Sequence, residues 1–514
     1  MSDDFTGYDA VEGYCGQLSY VAGDTLTLHV SCTTPTFDVQ IHRWGATRDH
    51  VWQRREVIAQ PVTTPADADA NGCAWPAAIE LAVPHDWTSG FYDVSLSAPG
   101  ALSDRAVSHA CFVVRAAQPT SSRLLVVATN TYNAYNAWGG RSLYTGGKQV
   151  SFRRPFGRGM ISRETTQRDD RKARPTHRGE EPDVEGDIYQ RYRFRHGLPG
   201  YMASAGWFTY ERRFVEWAES NGLPLDYAIS ADLEDHADVV DGYDLVLGVG
   251  HDEYWSATAR TTVEAFVRAG GTYASMSGNT MFWQVRLEDG GDTMVCHKYS
   301  AHDTDPVVQA GRPEAMTGMW CDPVAGRPES AFLGASSAYG LYSRFGMATP
   351  RGSGAFTVYR HDHWLLRGTG LRYGDLLGAS DGVVGYETVG CRLGFDELQL
   401  PVAVGGDNTP TDIEVVAFTP SSNLAKGEYP ASIAALEDQG DLEFIAARLY
   451  GGVDEESMAR VRYGNAVMVV SRPFGDTGGE VVTVGSTDWV FGLADDPAVA
   501  QVTRNILERT DVAG

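Results

Sequence analysis

The sequence predicts an α/β protein: a parallel sheet carrying helices, preceded by an all-β, immunoglobulin-like sandwich. Three observations predict it. Residues ~10–115 hold short runs of alternating apolar and polar residues with no helical period. From residue 123 onward, near-continuous apolar runs alternate with helix-periodic segments. Between them lies "AAQPTSS", 116–122, with the composition of a linker. The expected division is a sandwich domain over 1–116 and an α/β domain over 117–514, with a basic insertion at about 160–200.

In the first region "GQLSYVAGDTLTLHVSC" alternates around a Gly-Asp turn. "FDVQIHRW", "AAIELAVP", "GFYDVSLSA" and "AVSHACFVV" follow as further strands. In the second, "RLLVVATN" (123–130) reads as a strand buried on both faces. Tyr210, Phe214, Trp217 and Asn221 keep helical spacing, and Asn221-Gly222 is a helix stop. "LDYAI" and "YDLVLGVG" (243–250) are the next strands. "SATARTTVEAFVRAGG" is a helix started by Ser256 and ended by Gly270-Gly271, and "TYASMSG" is a fourth strand. "NAVMVVS" and "GEVVTVGS" are later strands, and "AVAQVTRNILER" a closing helix.

Composition excludes several classes. The 514 residues are 43% hydrophobic and 21% charged, which rules out a disordered chain, a collagen or a coiled coil. No apolar run nears the ~18 residues of a membrane span. The acidic start, Met1-Ser2-Asp3-Asp4-Phe5, lacks the pattern of a signal peptide, so a cytoplasmic protein is expected. A net charge of −25 disfavours nucleic acid and anionic lipid as partners. Arg153 to Arg195 runs against that balance, with 11 Arg and one Lys among eight acids. It reads as a solvated, internally paired loop, or as a clamp on an acidic neighbouring subunit or a substrate anion. The seven cysteines are scattered and form no CxxC pair, so buried reduced thiols are expected.

In open α/β sheets, ligands collect beyond the carboxyl ends of the strands. Two such ends carry unusual residues. "NTYNAYNAWGGRSLY" holds Tyr132, Tyr135, Trp138 and Tyr144. "GHDEYW" holds His251, Asp252, Glu253, Tyr254 and Trp255. In the predicted sheet both loops face the same edge. Phenol and carboxylate oxygens are hard donors that suit a hard cation such as Fe(III). A hydrogen-bonded aromatic cluster that only shapes a pocket is the competing reading, and spacing leaves both open.

Other motifs are weaker. "HDEYW" lacks the second histidine of HExxH. His361 and His363 in "YRHDHWLL" read as a surface hairpin rather than a metal pair. "GASDG" around Ser380 is not followed by the helix that a nucleophile elbow needs. "GGRSLYTGGK" fails as a P-loop at Ser142 and Gln149. No cysteine stands at a strand-to-helix elbow.

Six segments occur in order: "NTYNAYNAWGGRSLY", "RPFGRG", "WFTYERRFVEWAESNG", "GHDEYWS", "SGNTMFWQV" and "VVGYE". Together they resemble the C-terminal catalytic region of the N,N-dimethylformamidase large (beta) subunit over about 120–500. The N-terminal sandwich is similar to the module preceding that region. The resemblance implies a glutamine-amidotransferase-like (flavodoxin-like) α/β domain with a mononuclear iron, Fe(III), held by two tyrosines and one glutamate. Glu253 matches the glutamate ligand and His251 a histidine beside it. Tyr144 matches one tyrosine ligand. The other lies in "NTYNAYN", with Tyr132 favoured over Tyr135. Glu387 of "GYE" matches a further active-site glutamate. The implied metal ligands are thus Tyr132, Tyr144 and Glu253, and the implied catalytic residues His251 and Glu387.

The implied activity is hydrolysis of the C–N bond of a small (N-alkyl) amide by water activated on the iron. His251 or Glu387 would carry the proton to the leaving amine. Trp138, Tyr254, Trp255, Phe282 and Trp283 would wall the pocket, or serve as core. A homo-oligomer or a small accessory subunit is an expected partner. The chain departs from the family in having Asp252 where "HPE" is common, and a longer basic insertion. It is also expected to lack the full-length subunit's extra N-terminal domain. The alternative is a non-catalytic ligand-binding or interaction protein on the same fold.

Overall fold

A computed structural model describes residues 10–101, 106–163, 204–340, 354–422 and 440–509. Most of the basic insertion predicted at 160–200 lies outside them. The described residues form two compact units. One comprises 10–163, 204–242 and 286–296; the other comprises 243–285 and 297–509.

The first unit opens with two sheets. The strands are β1 (Val11–Cys15), β2 (Ser19–Tyr20), β3 (Thr25–Cys32), β4 (Thr36–Trp44), β5 (Arg48–Ile58), β6 (Ala77–Ala82), β7 (Gly90–Ser97) and β8 (Val107–Val114). One sheet runs β1-β3-β6 and the other β2-β8-β7-β4-β5. All these pairings are antiparallel except β2 with β8. Alternation decides which side chains go inside. Leu26, Leu28 and Val30 of β3 meet Val39, Ile41, Val94, Leu96, Phe112 and Val114 from the other sheet in one buried cluster. Strand β5 is mostly exposed, as an edge strand can be.

The same unit contains β9 (Arg123–Val127) and β10 (Asp226–Ile229), a parallel pair. Asp226 locks the entry to β9: its carboxylate accepts from Thr120 N and Oγ1 at 2.6 Å and from Ser121 N at 3.1 Å. Helix α1 (Thr129–Tyr135) follows β9 directly. The sequence suggested a loop there, but all seven residues are buried. Their backbone finds partners within the helix, as Tyr132 N to the Ala128 carbonyl at 3.1 Å, and outside it, as Asn130 N to Ser230 Oγ at 3.4 Å. Helix α2 (Glu211–Ser220) buries Phe214, Val215 and Ala218, then stops at Asn221 and at Gly222 with φ 72.

In the second unit β11 (Leu245–His251) leads through α3 (Ala257–Arg268) to β12 (Thr272–Gly278). Ser256 caps α3 by accepting from Ala259 N at 3.1 Å. Later strands are β13 (Phe356–Val358), β14 (Leu376–Leu377), β15 (Glu414–Ser422), β16 (Tyr463–Ser471) and β17 (Val481–Thr483). Their spatial order is β11-β12-β17-β16-β15-β13-β14. The sheet is parallel through β11, β12 and β17 and antiparallel beyond. The expected parallel sheet is therefore a mixed one. Residues 472–480, between β16 and β17, are too few for the crossover of about a dozen residues that a parallel pairing requires. Helix α4 (Gly440–Tyr450) precedes β16, and α5 (Pro497–Leu507) ends the described chain. Among the described residues, no helix is long and apolar enough to cross a membrane. All seven cysteines are buried thiols.

The centre of β7 carries a buried charge. Asp93 accepts from Arg48 at 2.8 and 2.5 Å and lies 2.9 Å from His109 Nδ1. Burial opposes ionisation, but His109 and Arg48 outweigh it and hold the Asp93 carboxyl below the ordinary aspartate range. Stability from this network is full above the unfolded value of ~3.9 and is lost as pH falls through the lower native value. Asp93→Asn should cost about 1.5–3 kcal/mol near neutrality, read as a lower urea midpoint. The gap to wild type should begin to shrink below about pH 4 and close only below the lower native value. A gap unchanged in acid would contradict this account.

Candidate functional site

The end of β11 puts His251 at the sheet's carboxyl edge. Gly250 just before it has φ 77, a conformation glycine adopts without strain. The chain then turns through Asp252 and Glu253 into a short strand, Tyr254–Ser256, which pairs parallel with Trp283–Val285. Phe282 N and Trp283 N both donate to the Glu253 carbonyl at 3.0 Å, and Met281 N donates to that of Asp252 at 3.1 Å. The Glu253 carbonyl is thus held by two successive N–H groups of one neighbouring segment.

Glu387 arrives from a separate stretch. Its carbonyl accepts from Thr487 N at 3.0 Å, and its own N–H donates to Thr487 Oγ1 at 3.3 Å. The end of β12 passes very close. A Cβ on Gly278 would lie 2.1 Å from the Glu387 carbonyl oxygen, so only glycine fits. Asn279, Met281 and Tyr386 flank this crossing with φ of 51, 54 and 21. Left-handed backbone at non-glycine residues concentrates at functional sites.

These turns gather one buried cluster. His251 Nε2 lies 2.7 Å from Glu387 Oε2 and 3.3 Å from Glu253 Oε2. One donor atom from each of the three lies within 4.8 Å of the others. His251, Glu253 and Glu387 are exposed by 1%, 2% and 4%. Asn279 Nδ2 donates to Glu387 Oε2 at 3.0 Å, and Trp283 Nε1 donates to Glu253 Oε1 at 2.7 Å. The Tyr386 ring stands edge-on to His251.

Burial pulls the His251 imidazole down, but Glu387 and Glu253 outweigh it and hold the ring well above the ordinary histidine range. Burial pushes the Glu387 carboxyl up, against the pull of His251 and Asn279. The imidazole therefore favours its protonated form beside a carboxyl that burial makes reluctant to ionise. Such a cluster can hold a cation, or move a proton between imidazole and carboxylate.

Of the residues singled out from sequence, the structure brings His251, Glu253 and Glu387 together. Tyr132 and Tyr144 belong to the first unit. Tyr132, on α1, is buried with its ring edge-on to Phe156. Tyr144 donates its hydroxyl proton to Tyr135 at 2.7 Å, with ring centroids 4.3 Å apart. Trp138, also in the first unit, donates to Glu12 and packs on Trp75. Trp255 Nε1 donates to the Asp252 carbonyl at 3.2 Å. His361 and His363 lie in a turn, and His363 caps the short helix Trp364–Leu366. Ser380 lies in an exposed turn with no helix after it.

Sequence reasoning gave no role to Asn279, which grips Glu387. It treated Trp283 as pocket wall or core, although its N–H grips Glu253. The left-handed position in "SGNT" was the available signal for Asn279. Nothing local marks the pairing of Trp283 with Glu253.

A family model described as N,N-dimethylformamidase beta subunit-like, C-terminal, matches residues 36–503. No curated protein matches the chain.

His251 is the positive partner of two buried carboxylates, so its removal should be costly in protein stripped of metal. His251→Ala should lower stability by about 3–5 kcal/mol, seen as a reduced melting temperature after chelator treatment. An unchanged melting temperature would show that the carboxylates do not depend on the imidazole.

Proposed function

The chain belongs to the N,N-dimethylformamidase beta subunit-like, C-terminal family, and on that premise we propose an amidohydrolase that cleaves the C–N bond of a small N-alkyl amide with a mononuclear iron. The observation that carries the reading is the convergence of His251, Glu253 and Glu387 as buried side chains. The donor set fits a metal ion. Imidazole and carboxylate together suit iron, and a cation there offsets the two buried carboxylates.

Glu253 would hold the iron, its other oxygen being fixed by Trp283. Tyr132 and Tyr144 as further ligands rest on the family resemblance alone. When bound, ferric iron supplies Lewis acidity, which polarises an amide carbonyl and makes water nucleophilic near neutral pH. The chain's own residues do the rest. Glu387, with its raised carboxyl value, takes the proton of the attacking water and returns it to the leaving amine. His251, 2.7 Å away, holds Glu387 in place and balances its charge. Asn279 fixes which carboxylate oxygen faces the imidazole.

The wider reading is of a cytoplasmic enzyme with an immunoglobulin-like domain over 1–116 and an amidotransferase-like catalytic domain over 117–514. The family's description as beta subunit-like supports assembly with a second copy or an accessory subunit.

The test is iron content together with amine release from a panel of formamides, acetamides and larger N-alkyl amides. Linear release without a burst is expected, because no acyl-enzyme forms. A covalent adduct by mass spectrometry would contradict the mechanism. Iron-loaded protein that releases no amine from any member would favour a binding module instead. Glu253→Ala should lose iron and activity together. Glu387→Ala should keep iron and lose turnover by about 10²–10⁴-fold. Equal loss of iron in both variants would make Glu387 a ligand rather than the proton carrier. Tyrosinate-to-iron charge transfer should colour the iron protein; Tyr144→Phe should bleach that colour, and full colour would remove Tyr144 from the ligand set.

A further inference from the structure

Lys298 is 3% exposed, and its backbone sits at φ 49, left-handed and strained for a residue with a Cβ. Its N–H donates to the Thr317 carbonyl at 2.9 Å, which fixes that conformation. The side chain runs into an aromatic box. Nζ donates to Tyr254 Oη at 2.9 Å and lies 4.9 Å from the centroid of the Trp283 ring, 5.4 Å from that of Tyr299 and 5.5 Å from that of Tyr254. The box is braced from α4. Phe444 packs on both Trp283 and Tyr299, and the Tyr299 hydroxyl donates to Asp441.

Trp283 is also the residue whose Nε1–H donates to Glu253 Oε1. A cation over an indole face draws π density towards itself. The ring N–H becomes more positive, and its bond to an anionic carboxylate strengthens. With Oε1 tied to Trp283, Oε2 is the oxygen that faces His251 at 3.3 Å. The two contacts form one line from Lys298 through the indole to the cluster.

We infer that Lys298 is a positioning residue for the metal-binding carboxylate: its ammonium, held over Trp283, strengthens the indole hydrogen bond that orients Glu253. This rests on the proposed reading of the cluster as an iron site. It adds the residue that keeps the Glu253 side chain aimed before the metal arrives. Outer partners of metal ligands commonly set affinity within a factor of ten to a hundred.

The test is iron retention by full-length protein reconstituted with ferric nitrilotriacetate and dialysed against graded chelator. Lys298→Met should weaken retention about tenfold, and Lys298→Arg should restore most of it. Trp283→Phe keeps a ring beneath Nζ and removes the N–H, so it should weaken retention by a similar factor. In the Trp283→Phe background, Lys298→Met should have no further effect, because the route to Glu253 is already cut. Lys298→Met losses of equal size in both backgrounds would overturn the inference, since the lysine would then act by another path. So would unchanged retention in Trp283→Phe, whatever Lys298→Met does, including failure to fold. Wild-type protein that takes up no iron overturns the iron reading and the inference together. Iron-loaded wild type with undiminished retention in Lys298→Met overturns the inference alone.

Discussion

Two carboxylates buried within 4.8 Å of one imidazole nitrogen set the terms for the second unit. At an effective dielectric of about 20, like charges ~4 Å apart repel by about 4 kcal/mol. That repulsion must be answered by a proton, a cation or both. His251 supplies the proton between them. Trp283 takes Glu253 Oε1 and leaves Oε2 to face the imidazole, while Asn279 grips Glu387 Oε2, the same oxygen that faces His251. The arrangement demands accurate placement of backbone from four separate stretches of chain.

That demand explains local features with no stabilising purpose of their own. Gly278 lets the end of β12 cross the Glu387 backbone. Asn279, Met281 and Tyr386 accept left-handed backbone beside it. Surrounding order over-determines these conformations. Thr487 holds Glu387 at both its N–H and its carbonyl, and the Glu253 carbonyl takes two backbone donors. Parallel strands β11 and β12, fully hydrogen-bonded in register from Leu245 to His251, form the platform from which these turns depart. A cluster built on strand ends in this way keeps its geometry better than one built on free loops.

Features governed by short-range rules were legible in the sequence. Period-two alternation located β3, β4, β7 and β8, and Ser256 and Asn221-Gly222 marked helix ends. His251, Glu253 and Glu387 could be nominated from ordered motifs. Features governed by pairing were not legible. Strand β5 carries Arg48, Asp49, Arg54, Arg55 and Glu56 on exposed positions, so it has the composition of a loop and is a strand only because β4 pairs with it. Helix α1 lies in a stretch rich in Asn and Thr, weak helix formers that burial overrides. The mixed sheet depends on a short connection between β16 and β17. The bond from Trp283 to Glu253 joins residues thirty apart, and no local pattern encodes it.

The surroundings of the cluster also bear on the kind of hydrolysis proposed. An acyl-enzyme route needs a nucleophile activated by a neighbouring base. The hydroxyls at the end of β12 are spoken for among themselves. Ser277 Oγ lies 2.6 Å from Thr280 Oγ1 and 2.8 Å from Ser275 Oγ. Cys321 and Cys391 are buried, and burial drives both thiols up, away from the reactive thiolate. Ser380 sits in an exposed turn, its hydroxyl on Asp381 rather than on an imidazole. The imidazole that could act as base, His251, is engaged by two carboxylates instead of a hydroxyl or thiol. A base paired in that way is poorly placed to activate a side-chain nucleophile but well placed to exchange a proton with Glu387. For the proposed hydrolysis the arrangement therefore favours water over a side chain as the attacking group, with Glu387, held by His251, as the group that would carry its proton to the amine.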